Sequence, residues 1–129
     1  MVLLDTNAIL RYLLKDIPEQ YAKVLNAVEA GSKTTVEILN ETEHVLSHVY
    51  KLSREEISWY LHCLLLDVSI DNLQAVRYAL AVYNQTSLDF VDCILNAYHR
   101  KFNCEILSFD KKLNKSLDSV FAIQQSADL

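Results

Sequence analysis

The sequence predicts an α/β fold in which helices pack on a central parallel β-sheet. Short apolar runs that suit buried strands alternate along the chain with longer segments whose apolar residues recur at helical spacing. The chain has one glycine and one proline, too few turn formers for an all-β fold made of many short strands. Because the 129 residues contain no repeat or linker, residues 1–129 are expected to form a single domain.

Local signals predict each element of the first half of the chain. Pro18 in a first turn and Gly31 directly after a last turn mark the two ends of one helix. Two further helices are predicted from the spacing of their apolar residues. The predicted elements are a short buried strand at residues 2–5, a helix at 7–14, a helix from 16 to 31, a strand at 34–36 and a helix at 37–51.

Capping residues bound the helices of the second half. Ser53 and Glu56 have the spacing of a capping box, and either Asp71 or Asn72 caps the following helix. The predicted elements are a helix from 53 to 64, a strand at 67–70, a helix to about residue 83, a helix at 87–101, a strand at 105–109 and a last strand at 120–123.

Composition excludes several classes of function. A single glycine rules out the G-x-G-x-x-G and P-loop nucleotide cradles and the G-x-S-x-G elbow of serine hydrolases. The net charge is −5, so binding of a nucleic acid would require a local basic patch or bound cations. The three cysteines form no C-x-x-C motif and are typical of reduced thiols, and without a signal peptide or a membrane-spanning apolar run a cytoplasmic protein is expected.

Two aspartates stand where predicted strands end. Asp5 follows the apolar run at residues 2–4, and Asp110 follows the run at 105–109. In open parallel sheets, ligands bind at the carboxyl ends of the strands, so both carboxylates are candidates for a functional site. Each also has a structural interpretation, because Asp5 suits the cap of the next helix and Asp110 suits a turn.

Two of the predicted helices carry further acids. Asp89, Asp92 and Asn96 share one face of the helix at 87–101, and a cation would relieve the repulsion between the two carboxylates. Asp89 is also explained by its place in the first helical turn, where the helix dipole favours an anion. In the helix at 37–51, Glu41 and Glu43 lie at opposite margins of the apolar stripe, and periodicity does not choose between them.

Four stretches together resemble one known family. They are L-D-T-N-A-I-L-R-Y-L-L (4–14), E-T-E-H-V-L-S-H-V-Y-K-L-S-R-E-E-I (41–57), L-D-F-V-D-C-I-L-N-A (88–97) and L-S-F-D-K-K-L (107–113). They resemble the PIN-domain family and, within it, the VapC-like toxin ribonucleases of type II toxin–antitoxin systems. The resemblance implies a three-layer α/β/α sandwich on a central parallel sheet. The polar segment 42–44 and the residues Cys93, Asn96 and Ala97 depart from the family pattern.

Carried over position by position, the resemblance implies a metal-dependent nuclease site. Its catalytic and metal-binding acids are Asp5, Glu41, Asp92 and Asp110, which suit Mg²⁺ or Mn²⁺ because carboxylates are hard oxygen ligands. The implied activity is that of an endoribonuclease that leaves a 5′-phosphate and a 3′-hydroxyl. Auxiliary roles fall to Asp89, Thr6, Asn7 and Ser108, the last three as residues that orient the ligands.

Partners follow from charge and from the same resemblance. Basic residues beside the acids are candidates for contacts with RNA phosphates: Arg11, Lys15, Arg100, Lys101, Lys111 and Lys112. The resemblance also implies a cognate antitoxin protein and a homodimer. The alternative function is a PIN-fold binding module that is weakly active or inactive and acts through an antitoxin or another protein partner. The intact set of acids favours the enzyme.

Overall fold

The computed structural model describes residues 1–119 and 121, and within them the chain is mostly helical. The strands are β1 (Val2–Leu3) and β2 (Ser32–Lys33), and the helices are α1 (Thr6–Leu14), α2 (Pro18–Ala30), α3 (Val36–His48), α4 (Arg54–Asp67), α5 (Leu73–Gln85), α6 (Phe90–Phe102) and α7 (Lys111–Leu117). The chain divides into two compact units, the first being Met1–Leu73 and the second beginning at Gln74. No helix among the described residues, 1–119 and 121, is long and apolar enough to cross a membrane.

A small parallel sheet lies in the first unit. Strands β1 and β2 pair in parallel, with Val2 opposite Ser32 and Leu3 opposite Lys33. On the other side of β2, Ser69 forms an isolated parallel bridge with Lys33. Helices together with a parallel sheet confirm the α/β class, but among the described residues the sheet has only two strands.

The helix ends lie close to where the sequence places them, because capping residues define them. Pro18 is the first residue of α2, and Gly31, with φ of 108°, ends it. The capping box at the start of α4 is complete, since the Ser53 hydroxyl accepts from the Glu56 amide at 3.1 Å and the Glu56 carboxylate accepts from the Ser53 amide at 2.9 Å. These side chains satisfy amide groups that a helix cannot pair internally.

The strand predictions for the first unit need correction. Val2 and Leu3 are 46% and 60% exposed, so β1 is not the buried strand that its apolar sequence predicts. No strand covers residues 34–36, because the Thr35 hydroxyl accepts from the Ile38 amide at 3.2 Å and Val36 begins α3. At residues 67–70 only Ser69 bridges to the sheet, since α4 continues through Asp67.

The strand predicted at residues 105–109 is also absent. Leu107 and Phe109 are 89% and 93% exposed, and the backbone at residues 105–109 is irregular. Local hydrogen bonds hold its end, because Ser108 accepts from the Asp110 amide at 3.0 Å and from the Asn114 side chain at 2.8 Å. Such side-chain bonds compete with a strand ladder. The strand predicted at 120–123 lies outside the described residues, apart from Phe121.

Each unit has its own buried apolar residues. In the first unit, Ile9, Leu39, Leu46, Ile57 and Leu61 are fully buried. In the second unit, the fully buried residues of α5 and α6 include Ala79, Leu80, Val82, Cys93 and Ala97. The ring of Tyr83 also packs edge-on against that of Phe90, with 6.0 Å between the ring centres. Burial of this kind is the main favourable term in folding, so the two clusters hold the elements that carry the acids.

A tyrosine–carboxylate hydrogen bond joins α1 to the end of α4 in the first unit. The Tyr12 hydroxyl donates to the Asp67 carboxylate at 2.8 Å. Burial of the phenol, and then this hydrogen bond and the charge of Asp67, raise the pKa of Tyr12 from 10.0 to about 12. Because the pKa is raised in the folded state, the bond stabilises the fold fully below the ordinary tyrosine pKa, and this stabilisation is lost as the pH rises through about 12.

We therefore expect Tyr12 to ionise late in an absorbance titration of phenolate, as does Tyr78, whose pKa is raised by burial. Asp67→Asn removes the charged acceptor, so the pKa of Tyr12 should fall toward the ordinary tyrosine value. Tyr12→Phe provides the assignment, because it should remove one phenol from the late part of the titration and leave the ionisation of the other tyrosines in place. An unchanged titration in Asp67→Asn would contradict the role given to this hydrogen bond.

Candidate functional site

Asp5 lies directly after the segment that pairs with β2, and it begins α1. One carboxylate oxygen, Oδ1, accepts from the Ala8 amide at 2.8 Å, so the residue is the cap that its position predicts. The residue is exposed, which leaves its second oxygen, Oδ2, accessible to a ligand. The structural and functional interpretations of Asp5 are therefore compatible, because each needs a different oxygen.

The two residues after Asp5 differ in their surroundings. Thr6 is 8% exposed, and within the described part of the chain its hydroxyl has no hydrogen-bond partner. A buried hydroxyl without a partner costs free energy, and it is a natural place for a bond to a bound ion's water or ligand. Asn7 is exposed on the first turn of α1.

The helix α3 presents its two candidate glutamates differently. Glu41 is exposed, whereas Glu43 is half-buried and interacts with neighbouring residues. Between them, Thr42 is fully buried, and its hydroxyl donates to the Ile38 carbonyl at 2.8 Å, which fixes this face of the helix inward. The carboxylate of Glu41 is therefore the one that remains open to solvent and ligands.

Carboxylates crowd around Asp92 in the second unit. Asp92 lies in the first turn of α6 and is half-buried. Burial raises the pKa of Asp92 above its ordinary value, the carboxylates of Asp89 and Asp110 raise it further, and the ammonium of Lys112 opposes them. The carboxylates of Asp89 and Asp110 therefore each lie within electrostatic range of Asp92.

Asp89 occupies the N-cap position of α6 but does not act as a side-chain cap. Its backbone carbonyl accepts from the Cys93 amide at 3.0 Å, while its carboxylate makes no capping hydrogen bond. The charge of Asp89 instead raises the pKa of Asp92. Because the Asp89 carboxylate does not cap the helix, it remains available as an auxiliary group beside Asp92.

Asp110 caps the short helix α7, and Ser108 supports it. The carboxylate oxygen Oδ1 of Asp110 accepts from the Leu113 amide at 3.0 Å, and its own amide donates to the Ser108 hydroxyl at 3.0 Å. The turn interpretation of Asp110 is thus confirmed. The bond from the Leu113 amide fixes the direction of the carboxylate, and the bond to Ser108 fixes the backbone that carries it.

Lys112 is held beside the acids by a residue that sequence reasoning missed. Its ammonium donates to the Ser87 carbonyl at 3.1 Å and to the Ser87 hydroxyl at 2.9 Å. In that position its charge lowers the pKa of Asp92. No local motif indicates this contact, because Ser87 and Lys112 lie 25 residues apart.

The other basic residues differ in how many of their charged groups already contact protein side chains or carbonyls. The Arg11 guanidinium is buried, pairs with Asp16 at 3.0 Å and donates to the Tyr50 hydroxyl at 3.1 Å, so within the first unit it holds structure together. The remaining four are exposed. The ammonium of Lys15 lies 5.5 Å from the centre of the Tyr21 ring, that of Lys101 lies 5.4 Å from the Tyr78 ring, Arg100 donates to the Ser119 carbonyl, and Lys111 is in the first turn of α7.

The donor chemistry of the acids fits a hard divalent cation. Carboxylate oxygens with a hydroxyl nearby are the ligands that Mg²⁺ and Mn²⁺ prefer. The orphaned Thr6 hydroxyl and the raised pKa of Asp92 are both features that a nearby cation would relieve. Among residues 1–119 and 121, however, no three histidine, cysteine, aspartate or glutamate side chains form a group that could hold a metal ion as they stand.

Comparison with known proteins gives one match. The sequence model of a family described as PIN domain matches residues 2–116. No curated protein and no solved structure shows significant similarity to the chain. The matched segment includes both units' candidate acids, from Asp5 to Asp110.

The raised pKa of Asp92 predicts a pH-dependent cost to the metal-free fold. A carboxyl group whose pKa is higher in the folded state than in the unfolded state loses its proton at a cost, so its contribution to stability falls as the pH rises from the ordinary value of 3.8 through the raised value. Asp92→Asn removes this cost. We expect the variant to melt at a higher temperature than the wild type at about pH 7, with the difference shrinking toward about pH 3.

Thermal melts in a chelating buffer over that pH range test this expectation. Asp118→Asn is the matched control, because this substitution removes the same charge from a residue that is exposed at the end of α7. If Asp92→Asn melts below the wild type at neutral pH while the control does not, the carboxylate stabilises the metal-free fold and the inferred repulsion is wrong.

Proposed function

Because the chain belongs to the PIN-domain family, we propose that it is a Mg²⁺- or Mn²⁺-dependent endoribonuclease that hydrolyses RNA phosphodiester bonds. Members of this family are generally nucleases that use divalent metals, which supports a hydrolase acting on a nucleic acid. The observation that supports the metal dependence is the setting of Asp92, whose pKa is raised by burial and then by the carboxylates of Asp89 and Asp110. The three-layer α/β/α arrangement that the resemblance implies belongs to the same proposal.

The proposed metal ligands are Asp5, Asp92 and Asp110, with Glu41 as a further ligand or as the residue that positions water. When bound, a divalent cation supplies Lewis-acid activation of water and neutralises charge on the reacting phosphate. Asp110 and Asp5 each hold one oxygen in a capping bond, which orients the carboxylate before any cation arrives. That order lowers the entropy lost when the ligands are immobilised.

Supporting roles are proposed for polar residues next to these acids. Ser108 orients Asp110 through the amide that donates to its hydroxyl, and Thr6 offers a buried hydroxyl next to Asp5. Asn7 is exposed beside them. Groups of this kind orient ligands, and their loss generally lowers metal affinity or activity by about 10- to 100-fold.

The chain's own cations are proposed to bind the RNA phosphates. Four exposed residues are the main candidates, and they are Lys15, Arg100, Lys101 and Lys111. Lys112 is proposed to serve both the acids and the substrate, since Ser87 holds it beside Asp92. The guanidinium of Arg11 is already bound to Asp16 and Tyr50. Its proposed contribution to RNA binding is therefore indirect, because it holds the segment that follows Asp5 in place. Contacts of this kind position RNA without reading its sequence.

We place the enzyme in the cytoplasm as the toxin of a toxin–antitoxin pair, with a cognate antitoxin as its protein partner. A homodimer belongs to the same proposal, and exposed apolar side chains on one face of α4 support it. Trp59 and Leu66 are 68% and 70% exposed on that face. Large apolar side chains exposed on one helix face are the kind of surface that a protein partner covers.

The nuclease proposal predicts metal-dependent cleavage that needs the acids. Wild-type protein should cut a mixed-sequence RNA when Mn²⁺ or Mg²⁺ is added and should lose that activity in chelator. Asp5→Asn and Asp92→Asn should each lower kcat by more than about 100-fold, since a ligand matters more than the outer groups that support it. Cleavage products are separated on denaturing gels, and the ends are read by their susceptibility to 5′-phosphate-dependent exonuclease.

Asp118→Asn is the control for both variants, and it should cleave like the wild type because its carboxylate is exposed and lies outside the proposed ligand set. Melting temperatures of all variants separate lost chemistry from lost fold. If the wild type binds neither metal and cuts no RNA while remaining folded, the nuclease proposal is wrong and a binding module takes its place.

The toxin role makes a separate prediction in cells. Induced expression of the wild type in a bacterial host should arrest growth, whereas Asp5→Asn should not, because arrest depends on cleavage. Co-expression of the protein encoded by an adjacent small reading frame should restore growth and co-purify with the chain. Growth that is equal for wild type and Asp5→Asn would contradict the toxin role and would leave the cleavage result unaffected.

A further inference from the structure

A fully buried amide side chain lies beside the acids of the second unit. Asn96 is 0% exposed, on α6 one turn after Asp92. Its amide nitrogen donates two hydrogen bonds, to the Asp92 carbonyl at 3.0 Å and to the Ser116 hydroxyl at 2.9 Å. The first bond stays within α6, while the second crosses to α7.

The bond to Ser116 continues along α7 to the carboxylate of Asp110. The Ser116 hydroxyl donates to the Leu113 carbonyl at 2.5 Å, and the Leu113 amide donates to the Asp110 carboxylate at 3.0 Å. Side-chain and peptide groups therefore connect the backbone at Asp92 to the carboxylate of Asp110 without a gap. Each bond in this series is directional, so it limits rotation of α7 as well as its distance from α6.

Apolar packing alone gives α7 a weaker constraint. The helix has seven residues and buries two leucines, Leu113 and Leu117. Apolar burial is not directional, so it holds the helix against its neighbours without fixing its rotation. Lys112 adds hydrogen bonds to Ser87 through a long, exposed side chain, and the bond from Asn96 to Ser116 adds a directional restraint that is buried between α6 and α7.

Asn96 also carries a cost that packing does not explain. Its carbonyl oxygen is buried, and the described residues give it no hydrogen-bond partner. A leucine of similar size would remove the unsatisfied oxygen, and such replacements of buried polar groups are often neutral or stabilising.

We propose that Asn96 is a positioning residue, which acts through Ser116 to fix α7, and with it Asp110, relative to Asp92. The proposal rests on the nuclease function proposed above. Asn96 touches neither metal nor RNA in this role. It determines whether two of the proposed ligands stand at the right separation for one cation, and displacement of a catalytic group by even a small distance costs rate.

Two single substitutions and their combination test the proposal. Asn96→Leu keeps the side-chain size and removes both hydrogen bonds, and Ser116→Ala removes the acceptor on α7. Each should raise the Mn²⁺ Kd by about ten-fold and lower kcat by about ten-fold, with KM for RNA little changed. The double variant should be no worse than the more damaging single, because both changes break the same link.

Two readouts do not depend on catalysis. Binding of Mn²⁺ is measured from the loss of the free-ion electron paramagnetic resonance signal, without RNA. Hydrogen exchange of the Leu113 amide is measured without metal, and it should quicken in both variants because the cap on Asp110 loosens. The melting temperature of Asn96→Leu should equal or exceed that of the wild type, which a purely structural role for the amide would not allow.

Ser119→Ala is the matched control, since the Ser119 hydroxyl also bonds a carbonyl of α7, that of Lys115, but does not reach α6. It should leave Mn²⁺ affinity, kcat and Leu113 exchange unchanged. If the wild type binds Mn²⁺ and cleaves RNA, and Asn96→Leu and Ser116→Ala do so equally well, the positioning role is wrong and the proposed function stands. Wild type that neither binds metal nor cleaves overturns the proposed function and the positioning role together.

Discussion

The cost of keeping the half-buried Asp92 carboxylate ionised beside Asp89 and Asp110 is the constraint that the neighbouring contacts in the second unit meet. Burial and the charges of Asp89 and Asp110 all raise the pKa of Asp92, so in the metal-free chain this group is held against an electrostatic cost. The neighbouring contacts offset that cost. Ser87 holds the ammonium of Lys112 within reach of Asp92, and the Leu113 amide stabilises the charge of Asp110. The acids stay together because their neighbours are arranged to tolerate them.

The first unit handles its candidate acids by a different physical route. Asp5 is exposed and uses one oxygen to cap α1, so helix formation itself orients the carboxylate. The ion pair between the buried Arg11 guanidinium and the exposed Asp16 carboxylate then fixes the far end of the same short helix, with the Tyr50 hydroxyl as a further acceptor. A helix of nine residues is marginal by itself in water. Its caps and this ion pair therefore determine where Asp5 points as much as the apolar core does.

The features that the sequence predicted well are those encoded by adjacent residues. The start of α2 follows from the fixed backbone angle of Pro18, and the start of α4 follows from the Ser53 hydroxyl, which bonds the nearby Glu56 amide. Both signals are readable from the sequence. The strand at 105–109 failed because strand formation needs a distant partner, whereas Ser108 finds its hydrogen bonds nearby. Likewise the burial of Arg11 depends on Tyr50, which lies 39 residues away. The choice of Glu41 over Glu43 came from family resemblance, since a helical wheel treats them alike.

Asn96 shows why the geometry of a site is harder to predict than its chemistry. The acids stand out in the sequence because of their charge and of the stretches that resemble the PIN-domain family, whereas an asparagine on a helix has many ordinary structural uses. Only its complete burial and its bond to Ser116, 20 residues later, distinguish it from a solvated amide. Its unsatisfied oxygen adds a second distinction, because selection for stability alone would favour an apolar side chain at that place. Buried polar groups that cost stability beside an acidic cluster therefore indicate which residues position the acids, even where the family pattern is silent about them.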